Sequence, residues 1–216
     1  MQRRMVLNPN DSGCPLKHYD QGYFDRWYRG DEPVKDEGEL RRLVALAVAA
    51  AESILNRPIE TVLDIGCGEG RWQPILQESR PGASYIGLDP SEYAVERWGA
   101  ERNLRIGGLE TLEDLDHEDP FDLVICADVL HYLDKETILL KLDELADLVG
   151  GVALIEVFAE GDTEEGDREG FNVRPASWYR SVFEGAGLVP IGMQLYVHRD
   201  LAEDLDALEL PGAGLR

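Results

Sequence analysis

Three glycines, Gly66, Gly68 and Gly70, sit within VLDIGCGEG, after an apolar run and before a helical one. Glycine lets a backbone turn tightly and approach a ligand with no Cβ in the way. Amides that open the next helix point toward such a ligand. The spacing is GxGxG; a dinucleotide fingerprint, GxGxxG, needs glycine at position 71, where the chain has Arg71. The following apolar run, YIGLD, ends in Asp89, 21 residues past Gly68. A carboxylate at such a strand tip can accept both hydroxyls of an adenosine ribose. Taken singly, the glycines also read as an ordinary turn, and Asp89 as a cap for a helix opening at Ser91. Their joint spacing in a strand–loop–helix context favours a bound ligand.

Candidates for moving a proton follow the later apolar runs. Histidine ordinarily titrates near neutral pH, and His131 is either a base or a residue that caps or packs the next helix. Asp128 is either a base or a turn residue. Glu156 stands inside an apolar strand, where an unpaired carboxylate is costly. It lies at the strand's functional end or pairs with an arginine, and the paired reading is favoured. His18, His117 and His198 share no metal-ligand spacing, and Cys14, Cys67 and Cys126 form no CxxC pair. No metal site and no disulfide framework are expected, which fits a reducing cytoplasm. Cys67 has no base beside it in the sequence and is not read as a nucleophile.

These residues need elements to position them. TVLDIG (61–66), SYIGLD (84–89), LRIGG (104–108), FDLVICA (121–127) and VALIEVF (152–158) read as buried strands. Between them RWQPILQES, SEYAVERWGAE and KETILLKLDELADLV carry helical spacing, the last with Asp134 as N-cap and Gly150 as C-cap. ELRRLVALAVAAAESIL (39–55) is a further helix that Pro58 ends. RPASWYRSVFEGAGL reads as a late helix and VPIGMQLYV as one strand after it. Strands alternating with helices predict a doubly wound, mostly parallel α/β sheet with helices on both faces. Three regions result: an aromatic, charged segment over 1–37, a domain over 38–198 and an acidic tail over 199–216.

The chain has 216 residues, enough for one domain with a real core. Its 43 acidic and 21 basic residues leave a net charge of −22. That field disfavours nucleic acid and anionic membranes, whose recognition needs clustered Lys and Arg. The longest apolar run, Leu43–Ala51, is too short to cross a bilayer, and the first twenty residues hold no signal-peptide core. A cytoplasmic protein with neither nucleic acid nor membrane as partner is expected. Only Lys17, Lys35, Lys135 and Lys141 are lysines, and composition leaves open whether the acidic surface reflects a high-salt habitat.

VLDIGCGEG, YIGLDPSEYAVE, PFDLVICADVLHYL and LADLVGGVALIEVF together resemble the class I S-adenosylmethionine-dependent methyltransferases of the small-molecule type, over residues 60 to about 190. The resemblance implies that family's Rossmann-like fold and S-adenosyl-L-methionine as cofactor. It implies that Asp64, Gly66, Cys67 and Gly68 contact the methionine part, largely through backbone groups. Asp89 would hold the ribose hydroxyls and Pro90 lie against the adenine. Gly108, Leu109 and Glu110 would border the adenine, and Cys126, Ala127 and Asp128 would line the methyl end. Two departures stand out. The family's sheet closes with an antiparallel hairpin, whereas residues 199–216 read poorly as its last strand, which is expected short or missing. The third strand also lacks an acidic tip, so the adenine amino group meets Glu110 or a backbone carbonyl.

The implied activity is methyl transfer to an oxygen or nitrogen of a small molecule, in which the protein mainly positions an acceptor. His131 and Asp128 are the candidate catalytic residues. The alternative is a catalytically inactive relative that binds S-adenosylmethionine or S-adenosylhomocysteine as partner or sensor. An NAD-dependent enzyme is a third reading, disfavoured by Arg71. Tyr19, Tyr23, Trp27 and Tyr28 in HYDQGYFDRWYR are either ordinary packing or a lid over the pocket mouth. Trp178 and Tyr179 face either the core or the acceptor.

Overall fold

The computed structural model describes residues 17–30, 34–117, 119–162, 167–203 and 205. Cys14, the acidic stretch at 163–166 and the tail beyond 205 lie outside the described residues. The chain forms one sheet from β1 (Thr61–Ile65), β2 (Ser84–Asp89), β3 (Leu104–Ile106), β4 (Phe121–Ala127), β5 (Val149–Glu156), β6 (Leu188–Gly192) and β7 (Leu195–His198). Its order is β3-β2-β1-β4-β5-β7-β6, with β1 to β5 parallel and β7 antiparallel to both neighbours. The order reverses between β1 and β4, so their carboxyl ends flank the crevice where doubly wound sheets bind ligands.

The helices are α1 (Gln21–Tyr28), α2 (Glu37–Leu55), α3 (Trp72–Ser79), α4 (Glu92–Arg102), α5 (Lys135–Asp147), α6 (Ala176–Gly185) and α7 (Arg199–Ala202). Two apolar layers sandwich the sheet. α5 and α6 cover one face through Ile138, Leu142, Tyr179 and Phe183. α2 and α3 cover the other through Leu40, Val44, Trp72 and Leu76. β4 is buried along nearly its whole length, as a strand covered on both faces must be. Tyr179 belongs to the core, and Trp178 packs against it.

Local signals explain most element ends. Asp36 and Glu39 form a reciprocal capping box at the start of α2, and Asn56 ends that helix in the left-handed conformation. Asp134 caps α5 as expected, but the helix stops at Asp147 and Gly150 lies inside β5. A Cβ on Gly151 would collide with the Asp122 carbonyl, and one on Gly150 would sit tight against Pro120, so both glycines serve close packing within β5 and not a helix cap.

The closing hairpin corrects the sequence expectation. VPIGMQLYV is two strands, not one, and the antiparallel pair is complete by His198. Met193 and Gln194 make the turn at φ 50° and 62°, the mirror-image geometry that suits hairpin twist. Glycine or asparagine would have announced that turn; Met-Gln does not.

Asp122 joins the start of β4 to the segment entering β1. It accepts two bonds from the Arg57 guanidinium at 2.7 and 2.8 Å and one from the Glu60 amide at 2.6 Å. Burial would raise its carboxyl, but the Arg57 and backbone donors outweigh it and hold it below its ordinary value. Asp122→Ala should therefore cost about 2 kcal/mol in urea unfolding at neutral pH. Because the folded-state value is depressed, the wild-type advantage should be full above about pH 4 and vanish as pH falls through the folded value.

Candidate active site

The turn after β1 holds Gly66, Gly68 and Gly70 at φ +71°, +55° and +67°, all in the left-handed region. A Cβ on Gly66 would collide with Val129, so that glycine is required by both conformation and space. The Gly66 amide donates to the Leu88 carbonyl at 2.8 Å. The Gly68 amide donates to Asp89 Oδ2 at 2.7 Å, and the Ser91 amide donates to Asp89 Oδ1 at 2.9 Å. Asp89 thus ties the glycine turn to the tip of β2. The cap of α4 is Ser91, whose hydroxyl accepts from the Ala94 amide, rather than Asp89.

Two cavities meet at this turn. The larger, about 420 Å³, is lined by Asp89, Pro90, residues 106–111, Gly66, Gly68, Asp128 and Val129 from the sheet side. Tyr19, Tyr23, Phe24 and Tyr28 line it from the N-terminal segment, with Tyr132 and Leu133 beyond β4. The smaller, about 100 Å³, is lined by Asp64, Cys67, Ala127, Glu156, Lys35 and Arg71 among others. Tyr28, Gly66 and Asp128 border both.

Two buried carboxylates face these cavities. Asp64 accepts the Tyr85 hydroxyl at 2.6 Å, and Asp89 accepts the two amides already named. Among the described residues neither has a cationic partner. Burial, opposed by Tyr85 and reinforced by nearby Asp89, raises the Asp64 carboxyl to about 7. Burial also raises Asp89 against the pull of its two amide donors. A carboxylate offers about four lone-pair sites, so both retain acceptor capacity toward the cavities.

The N-terminal segment is docked by named contacts. Phe24 is buried and stacks on Tyr93 at 5.7 Å between centroids. Ser91 Oγ donates to the Tyr19 carbonyl at 2.5 Å. Arg29 pairs with buried Glu69 in the glycine turn, which also accepts from Trp98 Nε1 at 3.2 Å. Lys17 Nζ lies 2.7 Å from Asp167 and 3.9 Å from the centre of the Tyr132 ring. Lys35 Nζ lies 2.7 Å from Asp128 Oδ2 and 2.9 Å from Glu156 Oε2.

The residues singled out in the sequence divide accordingly. Asp64, Gly66, Cys67, Gly68, Asp89, Pro90, Leu109, Glu110, Ala127, Asp128, Tyr19, Tyr23 and Tyr28 line one cavity or both. Cys126 does not; it is fully buried in the core behind that wall. Trp27 lines neither cavity, and its carbonyl accepts the Val34 amide at 3.0 Å. His131 is also off the walls. It is 1% exposed, stacks on Phe171 at 4.5 Å, and burial lowers it to about 4. The structure therefore places His131 in packing. Glu156 is paired, with Lys35 rather than an arginine. Asp128 holds φ +61°, an uncommon conformation for a non-glycine residue. Glu69 and Tyr85 stand inside VLDIGCGEG and SYIGLD but were not singled out there, Lys35 is marked by no motif, and Phe24 and Arg29 belong to HYDQGYFDRWYR, the segment read as packing or a lid.

Residues 63–150 match the family model described as a methyltransferase domain. That stretch is a methyltransferase domain. It spans β1 to the start of β5 and so contains the glycine turn, Asp89 and Asp128. No curated protein matches the chain significantly. Among solved structures, a SAM dependent methyltransferase from Archaeoglobus fulgidus is 18% identical, with 76% of this chain and 72% of that one covered at a TM-score of 0.58. The 1,6-didemethyltoxoflavin-N1-methyltransferase of Burkholderia thailandensis, with 1,6-didemethyltoxoflavin and S-adenosylhomocysteine bound, is 22% identical, covering 73% and 70% at 0.51. The plantazolicin methyltransferase BamL, in complex with a triazolic desmethylPZN analog and SAH, is 16% identical, covering 70% and 65% at 0.55. The sheet and its helices thus have the class I S-adenosylmethionine-dependent methyltransferase fold, closing antiparallel strands included. Among the described residues no helix is long and apolar enough to cross a membrane, and no cluster of His, Cys, Asp and Glu could hold a metal.

The Asp64 carboxyl carries a pH signature. Its folded-state value of about 7 exceeds its unfolded value, so the folded state binds the extra proton between about pH 4 and pH 7. Stability should fall as pH rises through that window. Asp64→Asn, which keeps an acceptor for Tyr85 but cannot ionise, should gain stability relative to wild type at pH 8 and not at pH 4. Paired urea titrations at the two pH values would measure it, and parallel pH dependences would contradict it.

Proposed function

We propose that this protein is an S-adenosylmethionine-dependent methyltransferase that moves a methyl group to an oxygen or nitrogen of a small molecule. The observation that carries the reading is the pair of buried carboxylates, Asp64 and Asp89, which line the cavities on either side of a left-handed glycine turn and make no ion pair among the described residues. Such groups fit a ligand that brings its own donors: ribose hydroxyls for Asp89 and an ammonium for Asp64. The exposed Ile106 side chain at the tip of β3, with Pro90 and Leu109, offers an apolar wall for an adenine ring. S-adenosylmethionine, when bound, supplies an electrophilic methyl on sulfur, and the transfer is an in-line displacement.

The chain's own residues then have positional work. Asp89 fixes the ribose, and the backbone of Gly66, Cys67 and Gly68 borders the amino-acid end. Glu110 or a neighbouring carbonyl meets the adenine amino group. Tyr19, Tyr23, Phe24 and Tyr28 close the larger cavity and exclude water, and their rings suit a sulfonium. Asp128 is the proton acceptor we assign, because its carboxylate lines both cavities whereas His131 lines neither. The net charge of −22 favours a small or cationic acceptor over a nucleic acid.

Thermal unfolding with S-adenosylmethionine, S-adenosylhomocysteine and NAD tests the cofactor, since a ligand that binds only the folded state raises its stability. A shift with both adenosyl ligands is expected; a shift with NAD alone overturns the reading. Binding without transfer to any of a panel of small-molecule amines and alcohols would favour the inactive-relative alternative.

Asp89→Ala should weaken S-adenosylhomocysteine binding at least tenfold in calorimetry, since charge-assisted hydrogen bonds are worth about 1.5–3 kcal/mol each. Unchanged affinity would remove the ribose role. Deleting residues 1–33 should leave a folded core by circular dichroism with weakened binding and no turnover. Full affinity after deletion would make the segment a passive tail.

A further inference from the structure

The wall of the larger cavity has one side for the nucleoside, formed by Asp89, Pro90, Ile106 and Glu110. The rest is aromatic and aliphatic, with a single charged group, Asp128. Among the described residues no lysine or arginine lines this cavity; Lys35 and Arg71 line the smaller one. A carboxylate or phosphate acceptor would meet Asp89, Glu110 and Asp128 there and no cation. A neutral or cationic acceptor would meet tyrosine rings, whose faces attract positive charge. The same rings already hold one ammonium. Lys17 Nζ lies 3.9 Å from the centre of the Tyr132 ring and 5.2 and 5.5 Å from those of Tyr19 and Tyr23, and Asp167 answers its charge at 2.7 Å.

A hydroxyl acceptor loses its proton as it is methylated and so needs a strong base beside it. The described wall supplies none. His131 is buried off it and stacked on Phe171. Burial, reinforced by Asp89, pushes the Tyr19 phenol up to about 12, and burial raises Tyr23, Tyr28 and Tyr132 as well. Asp128 is a carboxylate with one oxygen engaged, its Oδ2 lying 2.7 Å from Lys35 Nζ. Among the described residues no hydrogen bond reaches Oδ1. An amine asks less of such a wall. An alkylammonium releases its proton near pH 10, so roughly one molecule in a few thousand carries a free lone pair at pH 7 with no base at all. A hydroxyl that ionises as water does, near about pH 16, has no comparable fraction.

We propose that the methyl acceptor is an amine on a small apolar or aromatic body, its nitrogen held at Asp128 Oδ1 and its body among the tyrosine rings of the cover. The inference rests on the S-adenosylmethionine reading above and narrows it from oxygen or nitrogen to nitrogen. The free amine donates one N–H to Oδ1, which holds the nitrogen in place. The new N–C bond forms from the amine lone pair as the S–C bond breaks, and sulfur keeps that bond's electron pair. The positive charge passes from sulfur to nitrogen, so the cavity keeps a charge that its rings and its carboxylate stabilise. The proton leaves the methylated nitrogen afterwards, through Asp128 Oδ1 to water. Asp128 is thus both the proton acceptor and the residue that selects the acceptor's class.

Three probes that differ only at the reacting group test this: 2-phenylethylamine, 2-phenylethanol and 3-phenylpropanoate. Calorimetry on the full chain saturated with S-adenosylhomocysteine reads binding apart from turnover. The amine should bind about tenfold more tightly than the alcohol, and the carboxylate more weakly than either. Asp128→Asn suits the left-handed backbone, which asparagine tolerates. It should weaken the amine about tenfold, the size of one charge-assisted hydrogen bond, and change the alcohol less than about twofold. With S-adenosylmethionine, kcat/KM should favour the amine over the alcohol by about a hundredfold, the lower end of what a positioned base would have supplied to the alcohol. Tighter binding or faster methylation of the alcohol or the carboxylate overturns the proposal. So does equal weakening of amine and alcohol in Asp128→Asn, and so does binding of the amine without transfer to it. Should Asp128→Asn fail to fold by circular dichroism, the wild-type preference among the three probes decides. Wild type that does not bind S-adenosylhomocysteine would overturn the methyltransferase reading itself, whereas wild type that binds it and prefers the alcohol overturns the amine alone.

Discussion

A buried carboxylate must find donors, and Asp89 finds them in two turns at once. Its oxygens accept the Gly68 amide from the turn after β1 and the Ser91 amide from the start of α4. This fastens two adjacent strand ends into one rigid rim. The left-handed glycines follow from the same constraint. The chain must reverse sharply after β1 to aim the Gly68 amide at Asp89 while Gly66 passes under Val129. Burying both Asp89 and Asp64 without a cation is unfavourable in isolation. The rim therefore keeps two carboxylates whose burial its own amide and hydroxyl donors only partly offset.

Charge holds the cover over that rim. Arg29, Lys35 and Lys17 each meet an acidic residue of the domain, respectively Glu69, Asp128 with Glu156, and Asp167. In a chain with twice as many acidic as basic residues, these cations are concentrated on the segment that must adhere. Exposed pairs of this kind contribute little individually. Their partners here are half-buried or buried, and Phe24 adds an apolar anchor against Tyr93.

How much was legible in the sequence depends on the range of the interaction. The glycine turn, Asp89, the Asp134 cap and the five parallel strands are local patterns in backbone preference and burial period; all are present, though β5 runs 149–156 rather than 152–158 and β3 stops at Ile106. Gly150 was misread because a glycine near a helix end has two explanations, and only the approach of Pro120 and Asp122 selects one. The final hairpin was misread because its turn uses Met193 and Gln194, whose left-handed geometry is imposed by the pairing of β6 with β7 rather than by residue preference. His131 follows the fourth strand, as a base could, yet the helical turn there directs it into an aromatic cluster with Phe158 and Phe171.

The sequence by itself determined the sheet, its crevice and the residues at the first two strand ends, because those depend on contacts between near neighbours and on burial written into each strand. Only the tertiary structure decided which charges meet across the crevice. Lys35 with Asp128 and Glu156, Arg29 with Glu69, and Tyr85 with Asp64 join residues that are distant in sequence, and no motif marks their pairing. Such partners are selected by the packing of α1 and α2 against the sheet. A charge's fate depends on which opposite charge is buried beside it, and that is a property of the folded arrangement rather than of any one stretch of chain.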